Sequence, residues 1–380
     1  MSRSMPRIPA APVAAAVLMV LAGCSKSGGD AVSPTAQRLV LDESQLIQPI
    51  RFHASDIDPE IGACVDFGAR TNARWLAANP IPGDQTSWGA FDVLAERSLQ
   101  VQKQIAEQVA ARSGLAGIEK IVADFWATGM DEAKLDADGI APLQGRLAQI
   151  EALTDEASVA QYLRTAAARG ENPLFGFGPE ADFQDSSMVI AYAEQGGTGL
   201  PDRSYYFDAD KKDIRDAYVK YIARVLELSG VPAGDAARQA DVVMAFETRL
   251  ARVSKSQEEL SRDVSLYYHP VTLAEADALT PAFPWSKFFE SQGVAAPEKF
   301  SLAMPDFHRE VNRMLGEVPV EQWKAYLRFR LVDAAAPYLG RQFTDARFEF
   351  YGRTLQGMQE QRPRWKRVLA VLEDSAGEAM

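Results

Sequence analysis

The stretch Ile61–Leu94, I-G-A-C-V-D-F-G-A-R-T-N-A-R-W-L-A-A-N-P-I-P-G-D-Q-T-S-W-G-A-F-D-V-L, decides how the rest of the chain is read. It gathers Phe67, Trp75, Trp88 and Phe91 around a rigid breaker, Asn79-Pro80-Ile81-Pro82-Gly83-Asp84. The two prolines fix φ and hold Asn79 and Ile81 extended, so the helix beyond them enters at a set angle. On spacing alone this is a capped helix whose lead-in is anchored to a core by aromatic side chains. Past the breaker, Phe91, Leu94, Val101, Ile105 and Val109 recur at helical spacing until Ser113-Gly114 ends the pattern.

The remaining chain reads mainly as helix. Ile118, Ile121, Val122, Phe125 and Trp126 share a face, and Gly139 breaks the chain before Leu143, Leu147 and Ile150. A further helix runs from about Asp155 to Ala168 and ends at Gly170. Phe175–Tyr192 differs: its glycines, Pro179 and the short apolar run Met188-Val189-Ile190 predict a small β-hairpin. Two strong helices follow, one carrying Ile214, Tyr218, Tyr221, Ile222 and Val225, the next Val242, Val243, Phe246, Leu250 and Val253.

Composition limits the partners. The 380 residues include 52 acidic against 40 basic, a net −12, which argues against nucleic acid. Arg3 and Arg7 precede an apolar run, Ala10–Ala22, too short to span a bilayer and shaped like the core of an export signal. It ends Leu21-Ala22-Gly23-Cys24, which resembles the bacterial lipoprotein box, cleaved before a cysteine that then receives lipid. The alternative is ordinary secretory cleavage near Ala22. With Ser25 after the cysteine, the expected location is the periplasmic face of the outer membrane, anchored by several acyl chains on Cys24. Residues 1–24 are then signal and lipobox, and 25–45 a flexible tether. Cys64 is left unpaired, so stability must come from packing.

The motifs in order resemble the neprilysin-like (endothelin-converting-enzyme) family of zinc metallopeptidases. Bacterial members open D-F-Y-x-Y-V-N-G-x-W, then I-P-x-D, then W-G-x-F-x-x-L. Here Asp66, Phe67, Asn72, Trp75, Ile81, Pro82, Asp84, Trp88, Gly89, Phe91 and Leu94 match, while Gly68, Thr71 and Ala73 depart. Gln195, Leu200, Pro201, Asp202, Arg203, Tyr205 and Tyr206 fit the family's Q-x-G-L-x-L-P-D-R-x-Y-Y. Glu247, Arg262-Asp263, the Trp323–Arg328 element, Pro363-Arg364-Trp365-Lys366 and Gly377-Glu378-Ala379 continue the match, which covers about 46–380. On spacing, Glu247 and Arg262-Asp263 read as surface ion pairs.

The resemblance implies two helical lobes around a water-filled cavity that admits small peptides. Residues 46–114 would pack on a catalytic lobe, 115–365 would form the substrate-restricting lobe, and 366–380 would begin the return to the catalytic half. The fold class expected is mainly α, a multi-helix lobe with a small β-hairpin, half of a two-lobed enzyme. Asp66, Phe67, Asn72, Trp75, Trp88, Phe91, Pro201, Arg203, Tyr205, Arg364 and Trp365 would be structural or cavity-wall residues. Animal members hold substrate ends with two arginines, but Ser87 and Ala95 stand at those positions, so that role is not carried over.

The zinc chemistry itself has no motif here. A zincin needs H-E-x-x-H, two imidazoles one helical turn apart with a glutamate to polarise water. His53, His269 and His308 are each followed by a residue other than Glu, with Ile57, Leu273 and Asn312 four positions on. Asp306-Phe307-His308-Arg309-Glu310 has two-residue spacing that spreads its donors around a helix, which reads as a solvated surface helix rather than a metal site. There is no G-x-S-x-G elbow, no G-K-[ST] after the Gly196–Gly199 run, and Cys64 lies beside acidic Asp66.

The expectation is therefore no catalytic or metal residue, and no cofactor, within the chain. Zinc would belong to the complete enzyme, a metalloendopeptidase of small peptides whose catalytic half is missing here, so that these 380 residues are a truncated or split product inactive alone. A different class of reading is a non-catalytic, membrane-anchored peptide-binding lipoprotein. In both, the apolar face around Phe91, Val101 and Ile105, and the helix near Trp365, should be incompletely covered.

Overall fold

A computed structural model describes residues 39–51 and 53–377. The chain divides into two units, residues 1–41 and 42–380. The expected export signal, Cys24 and most of the expected tether lie outside the described residues. Among the described residues no helix is long and apolar enough to cross a membrane.

Within the second unit, Asp66 starts α1 (Phe67–Ala78) by accepting a hydrogen bond from Ala69 N at 2.8 Å. This satisfies one of the helix's orphan amides. The Asn79–Pro80 breaker separates it from α2 (Ala90–Ala110), which leaves extended Gly89. α1 buries none of its residues. Polar bonds tie it down instead: Arg70 Nη1 donates to Ile61 O at 2.6 Å and Arg74 Nη1 to Ser55 O at 3.1 Å.

α2 finds its partners at opposite ends of the sequence, in α3 (Gly117–Met130) and the last helix, Arg364–Ala376. Ala106, Val109, Val122, Trp126, Leu369 and Leu372 close into a small core of their own. Thus α3, assigned by the sequence to the second lobe, shares its core with the opening segment and with the closing helix.

After α4 (Glu132–Asp138) the larger core begins at Leu143 and takes in α5 (Gln144–Glu151) and α6 (Glu156–Ala167), the last capped by Asp155. β1 (Phe175–Ala181) and β2 (Val189–Gln195) form the expected antiparallel hairpin. Two strands were not foreseen: β3 (Pro270–Val271) and β4 (Phe300–Leu302) extend the sheet in the order β1-β2-β4-β3, with β4 parallel to β2. Segments of two and three residues carry too little alternation to declare themselves.

Helices then follow in order: α7 (Ser204–Phe207), α8 (Lys212–Leu228), α9 (Ala233–Val253), α10 (Gln257–Arg262), α11 (Leu273–Leu279) and α12 (Trp285–Ser291). After them come α13 (Pro305–Glu317), α14 (Val320–Ala335), α15 (Arg341–Arg347) with a π-helical continuation Phe348–Leu355, and α16 (Arg364–Ala376). Tyr218, Ile222, Val243, Leu250, Tyr326 and Phe329 bury the facing stripes of α8, α9 and α14. Phe246 stacks on Tyr326 with ring centroids 4.0 Å apart.

α13 is not the solvated helix that its charges suggested. His308 is 2% exposed, with Nε2 3.2 Å from Ala193 O and its ring against Phe175, Trp285 and Phe307. Burial pulls its pKa down to about 4, so the imidazole is neutral. Glu310 is also buried and pairs with Arg249 and Arg313.

Candidate functional site

The opening segment presents an apolar surface. Phe67 is 68% exposed and Phe91 87%, and Leu76, Ile81 and Leu94 are exposed beside them in the sequence. Val101 and Ile105 are half-buried, as are Trp75 and Trp88. Large apolar side chains left in water in one short segment are of the kind that accompany interaction surfaces.

The turn at the base of this face is clamped. Gly83 O accepts from Gln359 N and Glu360 N, each at 2.9 Å. Lys366 Nζ lies 2.9 Å from Asp84 Oδ2 and 2.8 Å from Glu96 Oε2, with all three side chains nearly buried. Burial alone would lower the lysine pKa, but the two carboxylates outweigh it and raise it. Arg364 Nε donates to Gly129 O at 2.7 Å, and Lys103 Nζ sits 5.2 Å from the centre of the Trp365 ring. The I-P-x-D and P-R-W-K motifs are therefore two halves of one lock; Trp365 meets the opening segment at Lys103, while Arg364 meets α3. Trp365 is half-buried against the small core. Asp66 and Asn72 act locally: Asn72 Nδ2 donates to Gly68 O at 3.0 Å.

Pro201, Arg203 and Tyr205 belong to a second group, hung from the large core. Gln195 anchors one end of their loop, donating to Lys255 O at 2.9 Å and accepting from Lys255 N at 2.7 Å. Arg203 Nε donates to Ala251 O at 3.3 Å, Pro201 is exposed and Tyr205 half-buried. The centre of the attachment is Glu247. Its Oε2 accepts from Gly199 N at 3.0 Å, Tyr206 OH at 2.6 Å and Tyr218 OH at 3.0 Å.

Glu247 is wholly buried, which corrects its reading as a surface ion-pair residue; Arg262 does pair at the surface, with Glu258 at 2.7 Å. Desolvation raises the Glu247 pKa, against the pull of Arg330 and the three donors. The sequence held a signal for this. Glu247 lies four residues after Val243 and three before Leu250, on the apolar stripe of its helix rather than opposite it. Gly199 is required by the close approach, because a Cβ there would stand 1.9 Å from Tyr218 Oη.

The donors among the described residues do not fit zinc. His53 and His269 are exposed and apart from buried His308, and Asp306 faces Arg309 at 2.6 Å. Among the described residues no three His, Cys, Asp or Glu side chains are grouped as ligands.

Comparison with known proteins gives the class. Residues 63–380 match peptidase family M13, and the chain belongs to that family. Endothelin-converting enzyme 1 of Mus musculus is 26% identical over 341 residues, taking in 86% of this chain and 44% of its own. The Homo sapiens enzyme is 25% identical over 341 residues, with the same two shares. The crystal structure of Mycobacterium tuberculosis zinc metalloprotease Zmp1 in complex with inhibitor aligns at a TM-score of 0.81 and 32% identity, covering 88% of this chain and 51% of that one. PepO from Lactobacillus rhamnosis shares the fold at a TM-score of 0.72 and 19% identity, covering 83% and 50%. The chain thus spans about half the length of the relatives it matches. The neprilysin-like resemblance and the mainly helical lobe are both upheld, with the sheet larger than expected.

Proposed function

We propose that this chain is the non-zinc lobe of a metalloendopeptidase acting on small peptides. The large-core unit walls the substrate chamber and excludes large substrates. The segment 46–114 seats a catalytic lobe, carried on the same polypeptide or another, that supplies the zinc ligands and general base. Cys24, once lipidated, holds the protein at the periplasmic face of the outer membrane. The observation that carries this reading is the run of exposed apolar side chains between Phe67 and Leu94 on a chain of peptidase family M13.

The test joins residues 42–380 to the portion of Zmp1 that this chain does not cover and follows quenched-fluorescent peptides. Chelator-sensitive cleavage of short peptides by the fusion is expected, with none by the chain alone. Chelator-sensitive cleavage by the chain alone would overturn the proposal. For the anchor, Cys24→Ser should abolish labelling by an alkynyl fatty acid; persistent labelling refutes that part.

A further inference from the structure

A cavity of about 330 Å³ opens between α6, the loop after it and α14. That is within the usual size of a small-ligand pocket, roughly 300–1,000 Å³. Its wall is mostly apolar, from Ala166, Pro173, Leu327 and Leu331. Four polar side chains that line it, Tyr162, Asn172, Arg330 and Tyr338, make no hydrogen bond among the described residues; of these Tyr162 is buried and Arg330 half-buried, while Asn172 and Tyr338 are exposed. Arg330 Nε is sealed from solvent with no hydrogen-bond acceptor, and among the described residues no ion pair reaches the guanidinium. Its acidic neighbours are committed elsewhere: Glu247 to Gly199, Tyr206 and Tyr218, and Asp333 to Tyr221 at 2.6 Å and Arg347 at 2.8 Å. Tyr162 is 8% exposed, and among the described residues its hydroxyl has no partner. Burial pushes the Tyr162 pKa up to about 12, so the hydroxyl keeps its proton and can donate.

An arginine Nε left without an acceptor beside a largely apolar pocket is costly unless something supplies one. The remaining charges do not. Glu171 at the rim is already shared between Arg146 and Arg169. The charged side chains of the lining are Arg146, Arg330 and Glu171, one cation in excess, and Glu247 and Asp333 attract Arg330 without hydrogen-bonding it. We infer that this cavity binds a small carboxylate with an apolar body, its oxygens on Arg330 and Tyr162 and its hydrocarbon against Leu327 and Leu331. Charge-assisted bonds to a carboxylate suit the guanidinium fork, and the wall favours a ligand that is not purely ionic. The terminal residue of a short peptide and a free organic acid share this chemistry. The inference rests on the cavity and stands whether or not the chain completes a peptidase.

Calorimetric titration of the full chain with N-acetyl-L-phenylalanine, its primary amide and 3-phenylpropionate tests it. The acetylated acid should bind, and the amide at least tenfold more weakly. Preference for the acetylated acid over 3-phenylpropionate would mark a peptide terminus; equal binding would mark organic acids in general. Arg330→Gln should lose at least tenfold. Ala334→Trp plugs the mouth from an exposed position and should abolish binding with an unchanged melting curve, which guards against a misfolded Arg330 variant. Equal binding of acid and amide, no binding of either acid, or undiminished binding to a folded Arg330→Gln would overturn the inference.

Discussion

Lys366 Nζ stands 2.9 Å from Asp84 Oδ2 across 282 residues of sequence, and this pair fixes the base of the exposed opening segment. With Glu96 it makes one cation serve two nearly buried carboxylates. Removing one partner from such a group leaves charge stranded, which costs about 3–5 kcal/mol in a fully buried case and less here, where about a tenth of each side chain is wet. Lys366→Met should lower the melting temperature and expose the Asp84 turn to proteolysis. An unchanged melt would show the lock to be incidental.

Phe67 and Phe91 touch water rather than core, so Phe67→Ser with Phe91→Ser should leave the chain's stability within about 0.5 kcal/mol. The same pair of changes should reduce binding of an environment-sensitive naphthalene dye and, in the Zmp1 fusion, peptide cleavage. A large loss of stability would place these rings in a core instead.

Gly199→Ala drives a methyl group into Tyr218 Oη. Overpacking of this kind costs about 1–3 kcal/mol. Denaturant unfolding should show that loss, and Tyr218→Phe, which deletes the offending oxygen, should restore part of it. Independent effects of the two changes would refute the steric account.

Two buried groups give opposite pH slopes. His308 has a folded pKa near 4 against an ordinary 6.5, so the folded state takes up its proton less readily than the unfolded chain. Its contribution is complete above pH 6.5 and is lost as pH falls toward 4, about 3 kcal/mol in all. Nitrogen NMR should show a neutral imidazole at pH 5; an imidazolium there would contradict its burial.

Glu247 works the other way. Its folded pKa is raised above the ordinary 4.5, so its share of stability is present below that value and lost as pH rises through the folded pKa. Denaturation measured from pH 4.5 upward should show this decline in the native chain and not in Glu247→Gln. Parallel curves for the two would exclude Glu247 as the source.

Much of this was legible because local chemistry agreed with the final fold. Asp155 opens the helix expected from it to Ala168, and the 175–195 hairpin is signalled by its glycines and its apolar run. What stayed hidden depends on distance along the chain. β3 and β4 exist because the sheet recruits them, not because two or three residues prefer extension. His308 and Glu310 look solvated by composition, yet α13 turns them inward where Ala193 O and Arg249 await them. The motifs around Asp84 and Lys366 were both visible, but nothing in either announces that the other is its counterpart.

The small core has a consequence for how the molecule comes into being. Arg364 reaches Gly129 O over a separation of 235 residues, and the apolar side chains of α16 close over α2 and α3 in the same place. A chain emerging in order, N-terminus first, keeps those early helices unsheltered until nearly everything between has been synthesised, and such distant contacts are slow to form. The core of the middle can therefore close before α2 and α3 are fully sheltered, because their shelter waits for α16.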